Sequence, residues 1–227
     1  MLCDDVTTGP RFADLRRDMV ATQLRARGIR DPRVLDAMGR VPREAFVPHD
    51  EAELAYADHP LPIGGGQTIS QPYVVALALE AARITPDDDV LDVGAGSGYA
   101  AAVTSHLARR VFAIERDPAL AVAAAERLRR LGFANVRLAA GDAWCGWRAH
   151  APYHVIVSAA ASLDVPPAWM EQLAEGGRIV APLGPPDGQQ LVRITKDAGR
   201  EHREKLLAVR YVPLVQGDSA QDAVEIV

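Results

Sequence analysis

Apolar residues recur at helical spacing over 11–28, where Phe12, Leu15, Met19 and Leu24 share one side and Gly28 stops the run. Asp31-Pro32 then supplies a cap and a first-turn proline, which predicts a short helix over 32–38 closed at Gly39. Prolines at 42, 48 and 60 predict irregular chain over 41–60. A further helix is expected to run from Ser70 to about Ala82. Beyond it the pattern becomes regular. Short apolar runs at 90–93, 111–115, 136–140, 155–158, 178–182, 190–195 and 205–212 read as strands. Helical stretches at 97–109, 118–131 and 166–174 fall between them, with Gly132 just past the second. This alternation predicts an α/β, Rossmann-like fold with a mainly parallel seven-stranded sheet. The last two strands have no helix between them, so they are expected to form an antiparallel edge hairpin. Residues 1–82 are expected to be an N-terminal helical cap carrying an active-site loop, part of one domain with a core over 83–227.

The stretch Leu61–Val75, LPIGGGQTISQPYVV, is not a product of core patterning. Gly64, Gly65 and Gly66 free the backbone for positive φ and for close approach of a ligand. Ser70 reads as an N-cap, with Gln71 and Pro72 entering the helix. A hydroxyl at a helix N-terminus suits a carboxylate, because backbone N–H groups and the dipole favour an anion there. An ordinary glycine-rich loop with a serine cap accounts for the same residues.

Val90–Gly98, VLDVGAGSG, is a strand, a glycine-rich turn and a helix start, the usual place for a nucleotide at the carboxyl edge of a sheet. Glu115 closes the next strand, where an acid can accept both ribose hydroxyls, and Asp142 follows the third, where it can accept from an adenine amino group. The dinucleotide spacing G-x-G-x-x-G fails at Tyr99, and the lysine of a phosphate-binding P-loop is absent. The G-x-G-x-G form with two strand-end acids points to S-adenosyl-L-methionine, with NAD(H) as the alternative.

A net charge of −5 and a pI near 5.7 argue against a nucleic-acid partner. No apolar run is long enough to span a bilayer. Cys3 and Cys145 have no metal-ligand spacing and make no disulfide framework, which fits a reducing compartment. The acidic start MLCDDVTT is not a secretory signal. A cytoplasmic protein without membrane contact, acting as a monomer, is expected.

Seven stretches carry a family resemblance: MVATQLRARGI (19–29), RVLDAMGRVPREAFVP (33–48), PLPIGGGQTISQPYVVA (60–76), VLDVGAGSGYAAAV (90–103), IERDP (114–118), LGFANV (131–136) and VRYVPL (209–214). The chain resembles the protein-L-isoaspartate O-methyltransferases, repair enzymes that methylate abnormal aspartyl residues. GQTISQPY (66–73) is particular to that family. The resemblance implies a methyltransferase fold, S-adenosyl-L-methionine as cofactor, no metal, and isoaspartyl proteins and peptides as partners. It implies Ser70 as the catalytic residue. The implied cofactor-binding set is Gln67, Thr68, Ile69, Ser70, Asp92, Gly94, Gly96, Glu115, Asp142 and Ala143. The 209–214 stretch is implied to lie near the peptide substrate. Ala143 replaces a usual glycine and His154 a common aspartate, changes that bear on cofactor affinity more than on reaction type.

Other residues have plainer readings. Trp144 and Trp147 are expected in core or rim packing, with stacking on adenine as the alternative. Cys145 reads as a small buried hydrophobe, and His59 as a loop residue. His106, and Arg127, Arg129 and Arg130, read as solvated helix positions. Tyr56 and Asp58 lie upstream of the glycine-rich loop, with a place at its mouth as the alternative reading. The tail 217–227 is polar and acidic, with disorder the default. Three alternatives to repair stay open: the same chemistry on one dedicated peptide, a non-catalytic cofactor-binding module, and a nicotinamide-dependent oxidoreductase.

Overall fold

The computed structural model of the protein describes residues 10–217 and 223–226. Cys3 and the whole acidic start lie outside the described residues, as do 218–222 and 227 of the tail. Helix α1 (Pro10–Asp18) does not continue to Gly28 as a regular helix. It passes into a π turn at Met19–Leu24 and a 3₁₀ turn at Arg25–Arg27. Met19 and Leu24 are both buried although they stand five apart. The wider turn brings such a pair onto one side, which 3.6 residues per turn does not. Helix α2 (Pro32–Arg40) begins as expected, with the Asp31 carboxylate accepting from Arg33 N at 2.9 Å. It runs through Gly39 to Arg40.

Two short strands, β1 (Leu61–Gly64) and β2 (Gln67–Ile69), pair antiparallel where an irregular loop was expected. They precede helix α3 (Pro72–Ala82). The alternating part follows: β3 (Asp89–Val93), α4 (Tyr99–Ser105), β4 (Arg110–Glu115), α5 (Pro118–Arg130), β5 (Val136–Ala140), β6 (Tyr153–Ser158), α6 (Pro167–Gln172) and β7 (Leu173–Leu183). Strands β8 (Gln190–Asp197) and β9 (Arg200–Ala208) come next. Strand β9 thus ends at Ala208, short of the expected 212, and 209–212 lies beyond it outside any strand.

The seven expected strands form one sheet with an eighth, β10 (Val224–Ile226), added antiparallel to β5. This part of the tail is ordered by main-chain pairing despite its polarity. The order is β10-β5-β4-β3-β6-β7-β8-β9, with β5 through β7 parallel and β7-β8-β9 antiparallel. β3 is buried along its whole length, as a central strand covered on both faces must be. Its alternate residues feed two cores. Val90, Val111 and Val155 pack with Phe12, Met19, Ile29 and Phe46 on one face. Leu91, Phe112 and Ile156 pack with Trp147, Tyr153 and Trp169 on the other. The N-terminal helices therefore share a core with the sheet.

Polar ties fix the seams. The Arg178 guanidinium donates to the carbonyls of Ala82 (2.7 Å) and Arg83 (3.1 Å) at the end of α3, and to Asp88 (2.7 Å). Glu80 accepts from the backbone N–H groups of Arg30 (2.6 Å) and Asp31 (2.7 Å), joining α3 to the start of α2. Asp117 caps α5 by accepting from Ala119 N (2.8 Å) and Leu120 N (3.1 Å).

Ile156 has no exposed surface, whereas Leu163 is 77% exposed. Ile156→Ala is expected to lower unfolding free energy by about 2–5 kcal/mol, and Leu163→Ala by less than about 0.5 kcal/mol, in urea titrations.

Candidate active site

Strands β4 and β5 lie to one side of β3, and β6 and β7 to the other. At such a switch point the crossovers diverge and leave a crevice at the carboxyl ends of the strands. Here the ends of β3 and β6 stand level, with Val93 paired to Ser158. The turn after β3 uses positive φ at Gly94 (78°), Gly96 (53°) and Gly98 (86°). Gly94 N and Ala95 N both donate to Ile114 O at the end of β4 (2.9 and 3.1 Å). The Glu115 carboxylate accepts from Gly96 N (2.8 Å) and Asp117 N (2.9 Å), so it braces the turn against the start of α5. Helix α4 begins two residues later than expected, at Tyr99, with Gly98 in the cap position.

The β1–β2 hairpin lies over this turn. Its tip has three successive positive-φ residues, Gly64 (90°), Gly65 (59°) and Gly66 (70°). A Cβ at Gly96 would stand 3.1 Å from Ile63, and one at Gly65 would stand 3.1 Å from the Asp117 carboxylate. The hairpin and turn enclose two adjoining hollows. Thr68, Ile69, Ser70, Asp92, Gly94 and Gly96 line the inner one. Gln67, Glu115 and Ala143 line the outer one, with Thr68, Gly94 and Gly96 shared. Nine of the ten cofactor residues implied by resemblance therefore meet around one crevice. Asp142 stands apart. One of its oxygens accepts from Trp144 N (2.9 Å) and the other from Gly217 N (2.8 Å).

Ser70 does not cap α3. The cap position is Gln71, without a side-chain bond, because Pro72 takes the first helical position and holds the preceding residue extended (ψ 136°). The serine is placed instead by Arg43, whose guanidinium donates to Ser70 O (2.8 Å) and Ala55 O (2.6 Å). Arg43 is wholly buried, and desolvation lowers its pKa. Its backbone N–H donates to the Tyr56 hydroxyl (3.2 Å), which donates in turn to the buried Glu44 carboxylate. A groove runs from Ser70 past Tyr73 and Arg27 to residues 207–212. Sequence reading missed Arg43, since Pro-Arg-Glu looks like a surface turn, and did not single out Tyr211 in the groove wall.

The family profile described as protein-L-isoaspartate(D-aspartate) O-methyltransferase (PCMT) matches residues 15–219. The chain belongs to that family. It is 55% identical to the protein-L-isoaspartate O-methyltransferase of Methylorubrum populi over 206 residues, covering 90% of this chain and 97% of the relative. Among solved structures it is similar to a protein-L-isoaspartate O-methyltransferase with a TM-score of 0.80 and 28% identity. That alignment covers 89% of this chain and 66% of the other. It is also similar to a family structure from Plasmodium falciparum in complex with S-adenosyl-L-homocysteine, with a TM-score of 0.78 and 25% identity, over 89% of this chain and 99% of that one.

Within that family framework, the departures separate. His154 is remote from the glycine turn: its ring accepts from Asp89 N (3.0 Å) at the opposite end of β3. Ala143 is at the crevice, buried, with its carbonyl accepting from Trp169 Nε1 (2.9 Å). Trp147 is core, edge-on to Phe112. Cys145 is half-buried, with its sulfur 4.0 Å from Asp142. Arg127 is not solvated with Arg129 and Arg130; it donates to Ser97 O (2.8 Å) across the face of Phe46. His106 is exposed, edge-on to Phe133, and the His59 ring meets Pro60 O in its loop. Tyr56 is buried away from the loop mouth, whereas Asp58 bonds two groove residues, Arg27 (2.8 Å) and Gln71 (2.8 Å). Among the described residues no cluster of His, Cys, Asp or Glu is arranged to hold a metal ion, and no helix is long and apolar enough to cross a membrane.

Asp92 is the most perturbed acid of the site. Burial raises its carboxyl from 3.8 to about 7, with the Glu115 charge adding to the rise. In the unfolded chain it ionises near the lower value. Its contribution to stability is therefore full below about pH 4 and is lost as pH rises through about 7. Asp92→Asn removes that loss. The ligand-free variant is expected to melt above the parent at about pH 8 and with it at about pH 4.5, and parallel melting curves across that range would contradict this.

Proposed function

We propose that the protein is a cytoplasmic S-adenosyl-L-methionine-dependent methyltransferase acting on the free α-carboxylate of L-isoaspartyl residues in damaged proteins and peptides. The observation that carries the reading is that Ser70 and Asp92 line one hollow, which shares Thr68, Ser70 and Tyr211 with an adjoining open groove. Two cysteines in 227 residues fit a reducing compartment.

The donor set suits the cofactor. One Asp92 oxygen is buried without a hydrogen-bond partner, in a hollow that Gly94 and Gly96 help to line. An unpartnered buried carboxylate calls for a cationic group, and the amino end of the methionine portion is one. Asp92, Gly94 and Gly96 would hold that end, Glu115 the ribose, and Asp142 with Ala143 the adenine edge. Gln67, Thr68 and Ile69 would close the hollow from the hairpin side. When bound, the cofactor supplies an electrophilic methyl group on a sulfonium.

The substrate carboxylate is ionised at neutral pH, so no general base is needed to raise its nucleophilicity. Ser70 accordingly has no histidine beside it. Its hydroxyl donates to one carboxylate oxygen and aims the other. With the cofactor bound, the transfer would form one O–C bond at the expense of the S–C bond, and the chain would have no proton to move. What the chain contributes is position, which is worth on the order of 7–11 kcal/mol when reacting atoms are held in line. Damage arises in many sequences, so recognition should rest on peptide backbone. Residues 209–212 line the groove beside Ser70; Gln189 takes Tyr211 N and O, which leaves the main-chain groups of Arg210 for that purpose.

Labelled S-adenosyl-L-methionine with two matched peptides, isoaspartyl and aspartyl, tests the reading. Base-labile label on the isoaspartyl peptide alone is expected. Label on neither, with cofactor bound, would turn the reading toward a dedicated peptide or a non-catalytic module. Ser70→Ala is expected to lower kcat about 10- to 100-fold, the worth of one hydrogen bond to a charged group, with cofactor Kd unchanged.

A further inference from the structure

The groove beside Ser70 carries charge of one sign. Its charged lining residues are Arg27, from the N-terminal region, and Arg210, from the segment after β9, and no acid lines it. The chain as a whole has 30 acidic and 25 basic residues and a net charge of −5. The groove therefore runs against the average of the surface around it.

The two arginines differ. Arg27 is committed to the fold. Its guanidinium lies over the Tyr73 ring, 3.7 Å from the centroid, and donates to Asp58 (2.8 Å), which also accepts from Gln71 Nε2 (2.8 Å). Arg210 is exposed, and among the described residues its side chain has no hydrogen bond or ion pair. Asp187 shares a shallow recess with it beyond the groove but makes no ion pair with it.

The backbone that carries Arg210 is nevertheless fixed. The buried Gln189 holds the residues on either side of it. Val209 N donates to Gln189 O (3.0 Å), Tyr211 N donates to Gln189 Oε1 (2.6 Å), and Gln189 Nε2 donates to Tyr211 O (3.1 Å). A guanidinium held at a set place in a groove, with no partner in the fold, is free to answer a ligand. Its planar fork of N–H donors matches a carboxylate.

We propose that Arg210 is a specificity-determining residue for the peptide: its guanidinium pairs with an acidic side chain flanking the isoaspartyl residue, so that peptides with acidic neighbours are preferred. The proposal rests on the methyltransferase reading above. The isoaspartyl carboxylate goes to Ser70 in the inner hollow, and a second carboxylate on the same peptide lies along the groove. Backbone contacts still admit many sequences, and the ion pair grades them. Both arginines also favour the approach of an acidic peptide, which the rest of the surface opposes.

The test uses two isoaspartyl peptides, identical except for glutamate or glutamine on both sides of the damaged residue, with labelled S-adenosyl-L-methionine and the full chain. The parent is expected to show a KM about two- to fivefold lower for the glutamate peptide, the worth of an exposed ion pair. That preference is expected to fade in high salt. Arg210→Gln is expected to abolish it and Arg210→Glu to reverse it. The ratio is read within one protein, so a general loss of activity does not imitate the effect. A parent that labels both peptides with equal KM overturns the proposal and leaves the methyltransferase reading standing. A preference that survives in Arg210→Gln also overturns it, as does a rise in KM equal for both peptides, which would mean that Arg210 serves only the carboxylate they share. A parent that labels neither peptide overturns both readings.

Discussion

The strand-end residues of the crevice are set out along one line, the carboxyl edge of the parallel strands at the switch between β3 and β6. The constraint is packing. A strand buried on both faces cannot carry polar side chains along its length, so function is pushed to where the strand ends. β3 obeys this along its middle: Asp89 sits at its first residue, paired with Arg109 and Arg110, and Asp92 one residue before the turn. The neighbours of Asp92 feed the two cores, while its carboxylate faces the hollow with one oxygen unsatisfied. Such a group is unfavourable in the empty fold and becomes an asset once a cation answers it. The glycine turn follows from the same crowding, because a ligand can lie against the strand end only where backbone is bare.

The second half of the site is built by the N-terminal region, and by a different device. The hairpin over 61–69 bends on three consecutive left-handed residues and sets Ser70 at the inner hollow. Its position is secured from beneath by a buried arginine whose fork reaches the carbonyls of Ala55 and Ser70. A guanidinium satisfies two fixed carbonyls at once in a geometry that lysine cannot reproduce. For a reaction whose nucleophile is already ionised, such rigidity is the main thing a protein can add. The absence of a histidine partner for Ser70 is thus consistent with the chemistry proposed for it.

How much of this the chain discloses depends on whether a feature is local. Asp31-Pro32 and Asp117-Pro118 are self-contained cap signals, and both helices start where those residues put them. The alternating strands and the turn VGAGSG were legible for the same reason: period and glycine spacing are written in consecutive residues. Ser70 as a cap was a local misreading, since Pro72 at the first helical position makes Gln71 the cap. The break in the first helix, the burial of Arg43 and the seating of His154 against Asp89 depend on partners tens of residues away. β10 was hidden because its stability comes from pairing with β5 and not from its own side chains. Family resemblance supplied what periodicity could not, namely which serine and which acids to watch. The geometry added what resemblance left unstated: the bonds that hold Ser70, and the capping bonds that Asp142 already makes.

The most direct test of this account is a crystal structure of the protein with S-adenosyl-L-homocysteine and an isoaspartyl peptide. The account predicts the peptide's free carboxylate inside the inner hollow, one oxygen within hydrogen-bond distance of Ser70 Oγ and the other facing the sulfur. The cofactor's amino group is predicted to meet the Asp92 carboxylate. A carboxylate left out in the groove with Ser70 Oγ unengaged would contradict the account, as would an Asp92 that stays without a partner in the complex.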